Sequence, residues 1–174
     1  MKRKNELSEN TWDIKAINNS DYYDSIRFAL EVANLYSDKH GIKMVEFQYA
    51  YIKMLMFDIL VGQADRTPSN YGLLIDNNLF TASLAPLFDN STLTKPYIKT
   101  DEIVLNHVVL KKEKLAQAIY ETYPKEFFNI KKQILEKRDE LRTSVEREYY
   151  LLEENKNFIL ESIERGLDIF ERVG

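Results

Sequence analysis

Three oxygen-bearing side chains in the middle of the chain have the types and the spacing that phosphate chemistry needs. Asp65 and Asn70 enclose a short stretch that contains Pro68, and Asp89 follows on the far side of a predicted hairpin. Amide and carboxylate oxygens are the ligands that Mg²⁺ prefers, and a further carboxylate can accept the proton of an attacking hydroxyl. Phosphoryl transfer requires positioning and charge neutralisation more than covalent chemistry. The pattern therefore predicts Asn70 and Asp89 as magnesium ligands and Asp65 as a catalytic base.

Each of these residues also has an ordinary structural explanation. An Asp that follows a helix is often a turn or capping residue, and Asn70 beside Tyr71 can close a turn. Asp89 begins an Asp-Asn-Ser-Thr run that would suit an Asx turn or a helix N-cap. Arg66 is expected to pair with a carboxylate near the loop, which in most proteins is a structural contact. The functional interpretation therefore depends on the elements that surround the loop.

The elements on either side of this loop are predicted to hold it in a fixed order. Residues 43–61 are apolar in nearly every direction around a helix axis, which is typical of a buried central helix, and Gly62 is suited to end it. Residues 71–75 and 79–83 are predicted to be short strands, because Asp76-Asn77-Asn78 between them favours a tight turn. The order is thus buried helix, loop, hairpin and second loop.

The rest of the chain is predicted to be an N-terminal arm and a set of helices. Residues 1–19 are polar and are interpreted as an arm or linker, and residues 20–174 as one domain. A helix is expected over residues 21–38, with Gly41 as its C-cap. Residues 94–110 are compatible with strand or with the edge of a helix, and a helical pattern follows them to the end. The predicted class is mainly α with one small β-hairpin.

The composition is that of an ordinary globular protein. The 174 residues are 44% hydrophobic and 30% charged, which is enough chain for one domain with a core. The absence of cysteine excludes disulfides and thiolate metal sites and favours a reducing compartment. A net charge of -4 gives no electrostatic reason to expect direct nucleic-acid binding, and no apolar run reaches the roughly 18 residues of a membrane span. We therefore expect a cytoplasmic protein.

The loop and its flanks resemble the C-terminal lobe of HipA-like serine/threonine protein kinases. In that family an apolar helix ending Phe-Asn-x-Leu-x-Gly-Asn leads to x-Asp-Arg-His-x-x-Asn, a hairpin and Leu-Ala-Pro-Leu-Tyr-Asp. The matching residues here are Phe57-Asp58-x-Leu60-x-Gly62-Gln63-x-Asp65-Arg66-Thr67-x-x-Asn70 and Leu84-Ala85-Pro86-Leu87-Phe88-Asp89. The resemblance implies a protein-kinase-like C-terminal lobe with a buried central helix, a catalytic loop and one small β-hairpin. It assigns Asp65 as the catalytic base and Asn70 and Asp89 as ligands for Mg²⁺ and ATP, with a protein as substrate.

The chain departs from that family in two ways. Thr67 stands where the family usually has His, Ser69 where a Lys often lies, and Gln63 where the family has Asn. A cation in the loop would steady the γ-phosphate, so its absence predicts weak turnover. The family's N-terminal lobe, with its phosphate loop and strand lysine, has no counterpart here, since no glycine precedes Gly41. We therefore expect another chain, or a longer native protein, to supply that lobe.

Two functions of different classes follow from these observations. In the first, the chain is the catalytic lobe of a split kinase that transfers the γ-phosphate of ATP once an N-lobe-like partner is bound. In the second, it is a non-catalytic, pseudokinase-like binding module of a toxin–antitoxin-type complex. Asp65, Asn70 and Asp89 together favour the first, and the departures favour the second. A lipid kinase shares the Asp-x-x-x-x-Asn loop, but no residue here indicates a lipid head group.

Overall fold

The computed structural model describes residues 19–76, 78–79, 81–86 and 101–174. The helices within these residues are α1 (Asn19–Leu35), α2 (Ser37–His40), α3 (Met44–Val61), α4 (Lys112–Thr122), α5 (Pro124–Glu136), α6 (Arg138–Glu146) and α7 (Glu153–Arg172). The strands are β1 (Asp65–Arg66), β2 (Leu73–Asp76), β3 (Thr81–Leu84), β4 (Glu102–Leu105) and β5 (Val108–Lys111), and Pro68–Asn70 form a 3₁₀ turn. The described part of the chain is mainly α, which confirms the predicted class.

Helix α3 is the centre of the core, as its sequence predicted. Most of its side chains are buried, and it packs against α1, α4, α5 and most closely α7. At the closest approach Gly166 of α7 lies against α3, where an added Cβ would come within 2.5 Å of the Leu60 Cα. Gly62 ends α3 in the left-handed conformation, with φ of 81°. The loop that follows therefore starts from a rigid, buried element.

The helix expected over residues 21–38 is interrupted, so that prediction is wrong near its end. Tyr36 leaves the helical conformation, and the short α2 then runs to Gly41, whose φ of 61° confirms the predicted C-cap. The Ser37 hydroxyl donates a 2.8 Å hydrogen bond to the Asn34 carbonyl. Such a local side-chain bond competes with the helical backbone ladder, which gives a physical reason for the break.

The predicted hairpin is present, although its strands begin two residues later than expected. Strands β2 and β3 are antiparallel, with Leu73 opposite Leu84 and Asp76 opposite Thr81. The Asp76 carboxylate accepts hydrogen bonds from the backbone N–H groups of Asn78 and Leu79, at 2.9 and 3.1 Å. The turn therefore has the Asx chemistry that its sequence indicates.

A second sheet makes the expectation of one small hairpin incomplete. Strand β4 pairs antiparallel with β5 and parallel with β1, so the strand order is β1-β4-β5. The β4–β5 turn is made by Asn106 and His107, with φ of 50° and 69°. Both central residues have the positive φ of a type I′ turn, but His at the second position is not the usual Gly signal. Because this turn lacks the usual signal, the sequence of residues 101–110 does not by itself indicate a hairpin.

None of the helices in the described ranges is long and apolar enough to cross a membrane. The predicted arm, over residues 1–19, lies almost entirely outside the described residues.

Candidate functional site

The loop after α3 is attached to the three-stranded sheet through its backbone. The Val104 N–H donates to the Ala64 carbonyl at 2.7 Å, and the Asn106 N–H donates to the Arg66 carbonyl at 3.2 Å. Because side chains alternate along a strand, the Arg66 side chain enters the core while the neighbouring Asp65 stays half-exposed. The sheet therefore sets which of these two neighbouring side chains is available to a ligand.

Arg66 is fully buried and binds two parts of the structure at once. Its Nε and Nη2 donate to the two carboxylate oxygens of Asp58 on α3, at 2.7 and 2.6 Å. Its Nη1 donates to the backbone carbonyl of Asn70, at 2.7 Å. The expected carboxylate partner of Arg66 is thus Asp58, and both side chains have no exposed surface.

Burial and the contact with Arg66 act on the pKa of Asp58 in opposite directions. Desolvation raises the pKa of Asp58 to about 6, and the hydrogen bonds and charge of Arg66 oppose that rise, with a smaller effect from the charge of Lys112. An ionised Asp58 with a bidentate arginine is the strong, geometrically specific form of ion pair. The end of α3 and the start of β1 are therefore joined by a directional contact.

Asn70 closes the loop with both its backbone and its side chain. Its N–H donates to the Thr67 carbonyl at 2.9 Å and completes the 3₁₀ turn. Its buried side chain donates from Nδ2 to the backbone carbonyl of Asp65, at 3.2 Å. From the residues that the structure describes, its Oδ1 accepts one long bond of 3.3 Å, which the Ser69 hydroxyl donates. The carboxamide is thus oriented through its nitrogen, and its oxygen is the atom that can bind a ligand.

The Asn70 side chain lies against the backbone of Asp65, and Asp89 lies outside the described residues, so the convergence of the three side chains stays a prediction. The Asp65 carboxylate forms no hydrogen bond or ion pair with any described residue. It is half-exposed, and no described residue neutralises its charge. A carboxylate in this state can accept a proton or bind a cation.

The far end of the loop has a second anchor that the sequence did not reveal. The Tyr71 hydroxyl donates to Asn106 Oδ1 at 2.7 Å, and Asn106 Nδ2 donates to the Ser25 carbonyl on α1 at 2.8 Å. The Tyr71 ring also packs against the buried Tyr51 of α3, with ring centroids 5.9 Å apart. Burial raises the pKa of Tyr51 well above its usual value. The loop is thus fixed at Arg66 and again at Tyr71.

A buried lysine lies beside the start of the loop, and the sequence analysis missed it. The Lys112 side chain is almost completely buried, and its Nζ has no hydrogen-bond partner among the described residues. It stands 4.0 Å from where a Cβ on Gly62 would be. Desolvation lowers the pKa of Lys112 to about 8, and the negative charges of Asp58 and Asp101 oppose that change. Helical spacing to Leu115 and Ile119 was the available signal, since it puts Lys112 on the apolar face.

In the described ranges, no three His, Cys, Asp or Glu side chains are grouped closely enough to hold a metal ion. A cation bound at the loop would therefore need ligands besides such a cluster, for example the Asn70 oxygen, Asp89 or the oxygens of a phosphate ligand.

Comparison of the chain with protein-family models, with curated proteins and with solved structures found no match.

Proposed function

We propose that the chain is the catalytic lobe of a HipA-like, ATP-dependent serine/threonine protein kinase that works with an N-terminal lobe from another chain or a longer native protein. The observation that carries the proposal is the bond from Asn70 Nδ2 to the Asp65 carbonyl. It orients the Asn70 carboxamide through its nitrogen, on a short loop that also carries the half-exposed Asp65 and that follows a buried helix and precedes a hairpin. That is the arrangement phosphoryl transfer requires.

The proposed chemistry assigns one role to each predicted residue. Asp65 accepts the proton of a serine or threonine hydroxyl while that oxygen bonds to the γ-phosphorus and the bond to the β–γ bridging oxygen breaks. Asn70 Oδ1 and Asp89 are the proposed ligands of Mg²⁺, which would neutralise charge on the phosphates of ATP. The oxygen donors suit this hard cation, and the orientation of Asn70 through its nitrogen supports that role for its oxygen.

Exposed apolar side chains on the β2–β3 hairpin support the proposal of a partner lobe. Leu74 is 61% exposed and Leu79 is 70% exposed, and Ile75 is also exposed. Leu74 and Ile75 are consecutive in β2 and therefore lie on opposite faces of the hairpin, so both faces offer apolar contact to a partner. Because the proposed N-terminal lobe would supply most nucleotide contacts, we expect the isolated chain to bind Mg-ATP weakly or not at all; micromolar affinity in calorimetry would contradict this.

The loop chemistry also gives a reason to keep the non-catalytic binding module as a second candidate. Thr67 Oγ1 and Ser69 Oγ lie 2.9 Å apart and bond to each other, at positions where a cation would steady the transferred phosphate. A loop without that cation can bind nucleotide or a toxin–antitoxin partner without rapid transfer.

Reconstitution separates the two candidates. The chain is mixed with a partner lobe, for which the product of the neighbouring reading frame is the first candidate, together with Mg²⁺ and γ-labelled ATP. We expect label on a protein hydroxyl, no label with Asp89→Ala, and a loss of about 10²- to 10⁴-fold with Asp65→Ala. Asp139→Ala, at an exposed position on α6, is the matched control and should retain full activity.

A reconstituted complex that binds Mg-ATP but labels no protein, with the wild type and the variants alike, would end the kinase proposal. The chain would then be a binding module only.

A further inference from the structure

We propose that Arg66 is the positioning residue of the Asp65–Asn70 loop and that it acts through the bond from its Nη1 to the Asn70 carbonyl. The catalytic meaning of this role rests on the proposed function, whereas the positioning itself can be measured without any reaction.

The direction of the Nη1 bond is set by the other two donors of the same guanidinium. Nε and Nη2 are both engaged by Asp58, which belongs to the rigid central helix α3. Because the guanidinium is planar, fixing Nε and Nη2 also fixes the directions of the N–H groups on Nη1. That third donor meets the Asn70 carbonyl at 2.7 Å. Arg66 therefore fixes the position of Asn70 relative to α3.

The contacts of Arg66 and Asn70 form a closed ring around the two candidate residues. Arg66 binds the Asn70 carbonyl, and the Asn70 side chain returns to the carbonyl of Asp65, the residue next to Arg66. Loss of either bond opens the ring. Both Asp58 and Arg66 are inaccessible to water, so solvent cannot replace the lost contacts. The orientation of the Asn70 carboxamide against the Asp65 backbone thus depends on Arg66.

An ion pair that only neutralises Asp58 would not require an arginine. A lysine at position 66 would carry the same charge, but its single nitrogen on a flexible chain lacks the planar fork that joins Asp58 to Asn70. Arg66→Lys therefore separates the two roles, because it keeps the charge and removes the geometry.

The test compares Arg66→Lys with Arg172→Lys by ¹⁵N NMR of side-chain amides. Arg172 pairs with Glu113 on the surface and is the matched control. In Arg66→Lys we expect the Asn70 carboxamide to exchange with solvent about tenfold faster, since one lost interior hydrogen bond shifts such an equilibrium by about that factor. The Asn106 carboxamide, held by the Ser25 carbonyl, should be unchanged and reports general loosening. Arg172→Lys should change neither signal.

Unchanged Asn70 exchange in a folded Arg66→Lys protein would overturn the proposal, and so would an equal change at Asn70 and Asn106. If Arg66→Lys does not fold, the test uses the wild-type protein. Nuclear Overhauser contacts between the Arg66 Nη1 protons and the backbone amides of Asn70 and Tyr71 are then expected, and their absence would overturn the proposal. A changed Asn70 signal in a protein that never transfers phosphate would remove the kinase function and leave the positioning role.

Discussion

The Lys112→Met substitution is expected to stabilise the protein at neutral pH. Lys112 is buried without a hydrogen-bond partner among the described residues, and desolvation lowers its pKa from 10.5 to about 8. The charges of Asp58 and Asp101 offset only part of that cost. Methionine has a similar length and no charge to desolvate, and buried charges can often be replaced by apolar side chains without loss of stability.

The direction of the pKa change determines the pH range in which the effect is seen. Between about pH 8 and pH 10.5 the folded protein has released the Lys112 proton that the unfolded chain still holds, so wild-type stability rises with pH. The difference between the two pKa values corresponds to about 3 kcal/mol. The free-energy advantage of Lys112→Met should therefore be largest at or below neutral pH. It should then fall by about 3 kcal/mol as the pH approaches 10.5.

Urea unfolding followed by circular dichroism at a series of pH values would measure this difference. Groups that titrate in both proteins, such as tyrosines at alkaline pH, cancel when the variant is compared with the wild type. Lys111→Met is the control, because Lys111 is half-exposed and its bonds to Glu102 and Asp101 raise its pKa. Its variant should therefore show no change in relative stability over the same range. A Lys112→Met difference that stays constant with pH would refute the reasoning.

Two further predictions concern packing and charge in the core. Gly166→Ala should lower the free energy of unfolding by at least about 1–3 kcal/mol in chemical denaturation, because the added Cβ would meet the Leu60 backbone. Gly72→Ala is the control and should change this free energy by less than about 1 kcal/mol, because no atom lies within 4 Å of its Cβ position. Equal effects of the two substitutions would contradict the close approach of α3 and α7. Arg66→Met should lower the free energy of unfolding by about 3–5 kcal/mol, because it leaves Asp58 buried and unpaired. The double variant Arg66→Met, Asp58→Leu should recover most of that loss. Additive losses in the double-mutant cycle would show that the two side chains are not coupled.

The central helix and the loop order could be predicted because their signals are local. The nearly continuous apolar sequence of α3 predicts that the helix is buried, whichever helices pack against it. Gly62 predicts a left-handed C-cap because glycine adopts positive φ without a steric penalty. The Asp65-to-Asn70 spacing within one short loop likewise limits how far apart the two residues can lie. These features depend on few residues that are close in the sequence.

The second sheet and the break at Tyr36 could not be predicted because their causes are not local or are not specific. Strand β4 is held partly by the parallel pairing with β1, which joins residues far apart in the sequence. Its turn uses His107 at positive φ, a conformation that His adopts only occasionally and that no pattern of single residues indicates. At the break at Tyr36 the Ser37 hydroxyl bonds to the Asn34 carbonyl, and such local side-chain bonds also occur within continuous helices, so a serine alone does not predict the break.

The charges around the loop show most clearly what a single sequence leaves open. Asp58, Arg66 and Lys112 come from α3, β1 and α4, and each is a common residue type that is usually solvated. Only the tertiary structure shows that all three are buried, with the carboxylate bound by Arg66 and the ammonium without a hydrogen bond to any described residue. The stability of the fold does not explain why a lysine stands at position 112, because its buried charge is destabilising and an uncharged methionine has a similar length. If Lys112→Met is more stable as expected, the buried Lys112 ammonium destabilises the fold. It does so next to the end of α3, where the Asp65–Asn70 loop begins. Such costs are concentrated at sites under functional constraint more often than elsewhere, so the same measurement bears on whether this end of α3 serves the loop.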